Sequence, residues 1–228
     1  EPRLDFTQVV QKKRQVVEGL VGGLDFLLSR KEIEIVNGEA QFVSINEVQV
    51  QDRLFAPQRI LVCTGTEAVK LPGLEPDGRL VVNSDQILER SELPESLLIV
   101  GGGVIGCEFA TVFASYGVDV TIVELTNRLL PTEDAEISKT LLREFKKRKI
   151  RVLTGASVKG LKRDSSEVHV QIEIGNRIQD LTVDRVLVSV GRRPIVPHGF
   201  PGQIDNRGHI VVDSTFKTSV DQDRKSVV

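Results

Sequence analysis

The stretch from Leu97 to Glu124, LLIVGGGVIGCEFATVFASYGVDVTIVE, constrains this chain more than any other because two structural periods meet in it at a run of glycines. The apolar Leu97 to Val100 predicts a buried strand. Phe109, Val112, Phe113 and Tyr116 then recur at helical spacing until Gly117 stops the helix, and Val118 to Val123 predicts a second buried strand ending in Glu124. Between first strand and helix, Gly101, Gly103 and Gly106 give G-x-G-x-x-G, the pattern of a dinucleotide-binding βαβ unit. The first glycine permits a tight turn, Gly103 has no side chain to obstruct a pyrophosphate, and Gly106 lets the helix pack closely on the strand. The phosphates then rest on unpaired N–H groups at the positive end of the helix. Glu124 follows about twenty residues later, where a carboxylate accepts hydrogen bonds from a ribose diol.

Glu124 also sets the cofactor preference. NADP would bring a phosphate to the place where NAD has a hydroxyl. Two like charges at about 4 Å and an effective dielectric near 20 repel by on the order of 4 kcal/mol, more than a hundredfold in affinity. NAD is therefore expected, with Arg128, four residues on, offering partial compensation to a phosphate.

The composition fits one large or two modest globular domains: 228 residues, 40% apolar and 27% charged. A net charge of −2 gives no electrostatic reason to expect nucleic acid or an anionic membrane as partner. No apolar run approaches the roughly 18 residues of a membrane span, and the N-terminal EPRLDF lacks the layout of a secretory signal. The absence of any methionine predicts that the sequence is an internal fragment. Its two cysteines, Cys63 and Cys107, lie apart in apolar stretches and are expected to be buried free thiols, which fits a reducing, cytoplasmic setting. His169, His198 and His209 are expected at the surface, and no metal site is expected.

Elsewhere, Asp5 to Lys31 predicts a long helix with an apolar stripe of Phe6, Val9, Val10, Val17, Leu20, Leu24, Leu27 and Leu28, weakened at Gly19, Gly22 and Gly23. Ile33 to Val36, Ala40 to Ser44 and Glu47 to Gln51 predict a small antiparallel sheet, and Arg59 to Thr66 a buried strand running into a glycine turn. Past the βαβ unit, Glu133 and Asp134 open a helix with Ile137, Leu141, Leu142 and Phe145 on one face, and Lys146 to Lys149 (KKRK) complement its C-terminal dipole. Arg151 to Thr154 predicts a third parallel strand, Val168 to Ile174 with Arg177 to Val183 a hairpin turning at Gly175-Asn176, and Arg185 to Val190 a final buried strand. The fold class is α/β: a Rossmann-like domain with a three-stranded β-meander, inserted in a partial flavin-binding domain. The expected boundaries are residues 1–66, 67–190 and 191–222.

Several motifs in order carry a resemblance over nearly the whole chain. LDFTQVVQKKRQVVEGLVGGL, RILVCTGT, NSDQIL, LPESLLIVGGGVIGCEFA, NRLLP and VLVSVGRRP resemble segments of the flavin-dependent pyridine nucleotide–disulfide oxidoreductases, most closely members that oxidise a dithiol such as dihydrolipoamide. The resemblance implies that Gly101, Gly102, Gly103, Val104, Ile105 and Gly106 surround the NAD pyrophosphate, with Ile105 and Glu108 toward the nicotinamide. It implies that Glu124 holds the adenosine ribose, Val158 lies on the adenine side and Gly191 beside the nicotinamide. For FAD it implies Thr64, Gly65 and Thr66 at a turn closing on the nucleotide, with Ala40 a small residue under close backbone approach. It further implies a full-length homodimer, with a 2-oxo acid dehydrogenase complex as partner.

The chain departs from that family at several points. It lacks the N-terminal flavin glycine motif and the cysteine pair separated by four residues, so no catalytic residue is expected within it and it is expected to be inactive alone. Glu108 resembles a carboxylate whose lysine partner is absent too. Asp223 to Val228 reads like translated sequencing adapter and is expected to be a foreign tail. Rival readings are a transhydrogenase needing no cysteine pair, a mercuric or glutathione-type reductase using NADPH, and a non-catalytic NAD-binding module.

Overall fold

The computed structural model describes residues 5–31 and 33–220 and the backbone of 223–225. In chain order the elements begin with helix α1 (Phe6–Arg30) and strands β1 (Ala40–Ser44), β2 (Glu47–Val50), β3 (Arg53–Phe55), β4 (Ile60–Val62) and β5 (Thr66–Ala68). They continue with β6 (Val81–Val82), α2 (Ser84–Leu88), β7 (Ser96–Val100), α3 (Val104–Ser115), β8 (Asp119–Glu124), α4 (Ala135–Lys147) and β9 (Arg151–Thr154). Last come β10 (Ala156–Arg163), β11 (Val168–Ile174), β12 (Arg177–Val183), β13 (Arg185–Val188), β14 (Arg192–Pro194) and β15 (Asp223–Lys225). The chain forms two units, one of Glu1–Gly19 with Ala68–Gly191, the other of Leu20–Glu67 with Arg192–Val228.

The first unit is built on a parallel sheet in the order β6-β13-β7-β8-β9. Its central strand explains why the sequence there is apolar without interruption. Along β7, Leu97 and Ile99 turn to a cluster with Ala110, Phe113 and Phe145, whereas Leu98 and Val100 turn to the opposite face, with Val123, Val168, Val170 and Ile172. Leu97, Leu98 and Ile99 are each 0% exposed, so both faces of this strand are covered and neither can carry polar side chains. Helices α3 and α4 supply the first cover. Phe113 and Phe145 reach in from them, and Phe109 stacks at a tilt on Phe113 with centroids 6.2 Å apart.

The second cover is an antiparallel sheet, β10-β11-β12. Strand β11 buries Val168, Val170 and Ile172 and exposes His169 and Gln171, the period-two pattern of a strand covered on one face. Its pairing runs from Val168 opposite Val183 to Ile174 opposite Arg177, so the hairpin turns at Gly175-Asn176, as its sequence predicts. Strand β10 carries Val158 and was not separately assigned from sequence. The short helix α2 begins with a capping box in which Asn83 accepts from the Gln86 N–H and the Gln86 side chain accepts from the Asn83 N–H.

In the second unit, β1, β2 and β3 form a three-stranded antiparallel sheet. This corrects the expectation for Ile33 to Val36, which is not a strand: Arg53–Phe55 takes the third place. Ile33 and Ile35 are both more than half exposed, so their alternation has no core face to serve. Arg59 to Thr66 is likewise two pieces, β4 and the start of β5, separated at Gly65 with φ +69. A small core of Phe42, Val62 and Ile210 lies in this unit, with Phe200 edge-on to Phe42 at 5.6 Å. Of α1, only Val10 is buried, and Leu20, the most exposed of its apolar residues, stands 71% exposed. The expected foreign tail lies outside the described residues except for the backbone of β15, which pairs in parallel with β4.

Candidate functional site

At the C-terminal end of β7 the chain turns through Gly101, at φ +109, before α3 begins at Val104. Glycine is required here for two separate reasons. A Cβ on Gly101 would overlap the Ser189 carbonyl oxygen, and one on Gly106 would overlap the Gly101 carbonyl oxygen, so both positions are closed by backbone. Gly103 is the opposite case. It caps the helix with extended backbone and no side chain, and a Cβ there would meet nothing within 4 Å. The two closed positions build the turn, and the open one leaves room in front of it.

Several interactions hold the turn. The Gly101 N–H donates to the Val123 carbonyl at 2.8 Å and the Leu130 N–H donates to the Gly102 carbonyl at 2.9 Å. The Ser189 hydroxyl lies 3.2 Å from the carbonyls of both Val100 and Gly101. The first helical bond is donated by the Cys107 N–H to the Gly103 carbonyl at 3.0 Å. The N–H groups of Gly103, Val104, Ile105 and Gly106 therefore precede the helical ladder, and among the described residues no acceptor is assigned to them. Together with the open space at Gly103, they form a donor cradle at the positive end of a helix, suited to a pyrophosphate.

Glu124 lies at the tip of the neighbouring strand and is only 7% exposed. Its carboxylate is already engaged within the protein. One oxygen accepts from the Gly102 N–H at 2.6 Å, the other from the Thr126 N–H at 2.7 Å and the Thr126 hydroxyl at 2.8 Å. A carboxylate has about four lone-pair positions, so the oxygen facing Gly102 retains accepting capacity. Sequence reading assigned Glu124 a ligand-binding role and missed this brace, as it missed Thr126 and Ser189. Leu129, in the NRLLP segment, is buried beneath Gly102, and the Ser138 hydroxyl fixes its carbonyl at 2.6 Å. The Arg128 guanidinium donates to the Pro131 carbonyl at 2.8 Å.

The remaining expected residues fall as follows. Glu108 is exposed on α3, and Val158 is half-buried against the second core cluster. Gly191 is exposed at φ +120, with its carbonyl accepting from the Val69 N–H at 3.1 Å. In the second unit, Ala40 is exposed at the start of β1. The Thr64 hydroxyl donates to the Ile195 carbonyl at 2.5 Å, the Gly65 carbonyl accepts from the Ile195 N–H at 3.0 Å, and the Thr66 hydroxyl accepts from Arg192 Nε at 2.7 Å. Thr64, Gly65 and Thr66 thus form an exposed, hydrogen-bonded strand end.

The cysteines separate in character. Cys63 is exposed, which corrects the expectation that both thiols are buried: the short β4 ends at Val62 and leaves the next residue outside the core. Cys107 is buried, and its S–H lies 3.4 Å from the Gly102 carbonyl. Burial pushes its pKa up to about 12, with the negative charges of Glu124 and Glu108 adding to the effect. That thiol stays protonated and inert at neutral pH. The three histidines are exposed. Asp164, Glu167 and His169 bring potential metal-ligating atoms within 4.8 Å of one another at a surface turn.

Among the described residues no helix is long and apolar enough to cross a membrane. Residues 3–222 match the pyridine nucleotide-disulphide oxidoreductase family. The chain is 35% identical over 205 residues to a dihydrolipoyl dehydrogenase of Bacillus subtilis, covering 83% of this chain and 43% of that protein. It is 35% identical over 224 residues to the Chlamydia pneumoniae dihydrolipoyl dehydrogenase, covering 95% and 48%. Among solved structures, the HOCl-induced flavoprotein disulfide reductase RclA of Escherichia coli is similar with a TM-score of 0.87 and 28% identity, covering 97% of this chain and 52% of that one. The chain spans about half the length of the curated relatives it matches. With that match running through both units, the glycine turn and the strand carrying Glu124, the chain belongs to the pyridine nucleotide-disulphide oxidoreductase family.

Proposed function

We propose that this chain carries the pyridine-nucleotide site, and part of the flavin site, of a dihydrolipoyl dehydrogenase that passes electrons from a dithiol through a disulfide and FAD to NAD. The observation that supports it best is the open face at Gly103, fronted by N–H groups that precede the helical ladder. In this reading the first unit is a Rossmann-like domain with a β-meander, inserted in a flavin-binding domain. Gly101 to Gly106 cradle the pyrophosphate, and Glu124 receives the adenosine ribose while bracing Gly102. Ile105, Glu108 and Gly191 flank the nicotinamide and Val158 the adenine. Ala40 and Thr64 to Thr66 contribute to the FAD side.

When bound, FAD and NAD supply the hydride chemistry, and the chain's own part is to bind, orient and exclude water. Neither thiol suits the dithiol relay, since Cys107 is held protonated and Cys63 has no cysteine within its own strand end. The chain alone therefore has no dithiol oxidation, and the full-length protein works as a cytoplasmic homodimer associated with a 2-oxo acid dehydrogenase complex. Nicotinamide fluorescence titrations test the cofactor assignment. NADH binds at least about tenfold tighter than NADPH, because a phosphate beside the Glu124 carboxylate is repelled, and Glu124→Gln narrows the gap. Equal affinity for both in the unmodified chain contradicts the assignment.

A further inference from the structure

The Glu124 carboxylate has few acceptor positions left for a ligand. Of the roughly four lone pairs on such a group, Oε1 commits two within the chain, to the Thr126 N–H at 2.7 Å and the Thr126 hydroxyl at 2.8 Å. Oε2 commits one, to the Gly102 N–H at 2.6 Å, and keeps one. A ribose diol has two hydroxyls to donate, so the carboxylate in this state receives only one of them. The two N–H groups belong to backbone that is fixed from elsewhere. The Gly102 carbonyl accepts from the Leu130 N–H at 2.9 Å, and the Thr126 carbonyl accepts from the Gly155 N–H at 2.7 Å. The Thr126 hydroxyl is free to yield. Its oxygen lies 2.8 Å from Glu124 Oε1 and 2.8 Å from the Arg128 carbonyl oxygen, and a threonine hydroxyl has a single proton for the two acceptors. Rotation about the Cβ–Oγ1 bond carries that proton from one to the other with no heavy atom displaced.

We propose that the Thr126 hydroxyl is a positioning group for the adenosine ribose: it occupies Glu124 Oε1 in the free chain and turns to the Arg128 carbonyl when the ribose hydroxyls arrive. The inference rests on the reading of Glu124 as the ribose acceptor. In the free chain the hydroxyl satisfies a carboxylate that is only 7% exposed, where an unmade hydrogen bond is costly. In the bound form Oε1 and Oε2 each offer one lone pair, one to each ribose hydroxyl, and the displaced proton keeps a partner. The second acceptor is held ready, because the Arg128 guanidinium ties its own segment to the Pro131 carbonyl at 2.8 Å. The exchange has a cost. A hydrogen bond to an ionised acceptor is about twice as strong as one between neutral groups, so the hydroxyl competes with the ligand it makes way for. Removing it weakens the free chain more than the complex, and NAD binding tightens.

Calorimetric titration of the full chain with NAD, and with the NAD analogue lacking the adenosine 2′-hydroxyl, tests this. Thr126→Val keeps the side-chain shape and removes the hydroxyl, Thr126→Ala removes it without the shape, and Thr126→Ser keeps it. Both variants without the hydroxyl bind NAD about three- to tenfold tighter than the unmodified chain and melt at a lower temperature when free of ligand. Their affinity for the deoxy analogue is unchanged, since its one remaining hydroxyl needs only Oε2. Thr126→Ser matches the unmodified chain with both ligands. Unchanged or weaker NAD binding in Thr126→Val and Thr126→Ala overturns the proposal, as does an equal gain for NAD and the deoxy analogue, which a general change in packing would give. Absence of NAD binding to the unmodified chain overturns the reading of Glu124 and this inference with it, whereas NAD binding that ignores the hydroxyl overturns the inference alone.

Discussion

Gly103 and Gly106 are three residues apart in one motif, yet the structure asks opposite things of them. A side chain at Gly103 enters open space, so Gly103→Glu leaves the melting temperature nearly unchanged while removing the room in front of the helix N-terminus. A methyl at Gly106 overlaps the Gly101 carbonyl oxygen, so Gly106→Ala destabilises by about 1–3 kcal/mol or more through overpacking. Paired thermal melts check this, and equal destabilisation by both changes contradicts it. The thiols differ as sharply. Cys63 reacts with Ellman's reagent in the native protein, whereas Cys107, buried with its pKa pushed up to about 12, reacts only on unfolding. At this scale the tight turn at Gly101 and Gly106 and the place of Glu124 at the tip of β8 were legible, because backbone approach and strand length are local properties of a motif. The brace on Glu124 from Gly102 and Thr126, and the Ser189 hydroxyl behind the turn, were not. The Ser189 contacts join residues 88 and 89 positions apart, which only the folded chain brings together.

At the scale of elements, burial decides how far a pattern can be read. The strands β7, β8 and β13 are apolar because both faces are covered, and the hairpin of β11 and β12 is marked by alternation and by a Gly-Asn turn. Those elements were legible for that reason. Ile33 to Val36 alternates as well, but its isoleucines are exposed, and the sheet instead takes Arg53–Phe55, entered through Gln51 at φ +53. Three residues are too few to show a period. Helix α4 rests on Phe145, which is 1% exposed, while Ile137 on the same helix is 48% exposed. Phe145→Ala therefore costs about 3–5 kcal/mol in denaturant unfolding, and Ile137→Ala well under half of that. Similar losses at both sites would show that α4 does not pack through Phe145.

For the molecule as a whole, acid sensitivity has an identifiable contributor in the first unit. Burial of Asp77 raises its pKa, but N–H donors from Arg79, Val81 and Leu80, with Arg163 alongside, outweigh that and hold it below its ordinary value of 3.8. A lowered folded-state pKa adds stability that is complete above the unfolded value and is lost as the pH falls through the folded one. Asp77→Asn is accordingly less stable than the unmodified chain near neutral pH, and the difference closes as the pH falls below 3.8, read as melting temperature against pH. A gap that persists in acid would remove Asp77 from the account. The central claim is that N–H groups at the start of α3 hold the phosphates of an adenine dinucleotide in the space left by Gly103. Isothermal titration of NAD into the unmodified chain and into Gly103→Glu tests it most directly: the account predicts saturable heat in the first and its loss in the second at unchanged melting temperature, and equal heats in both would contradict it.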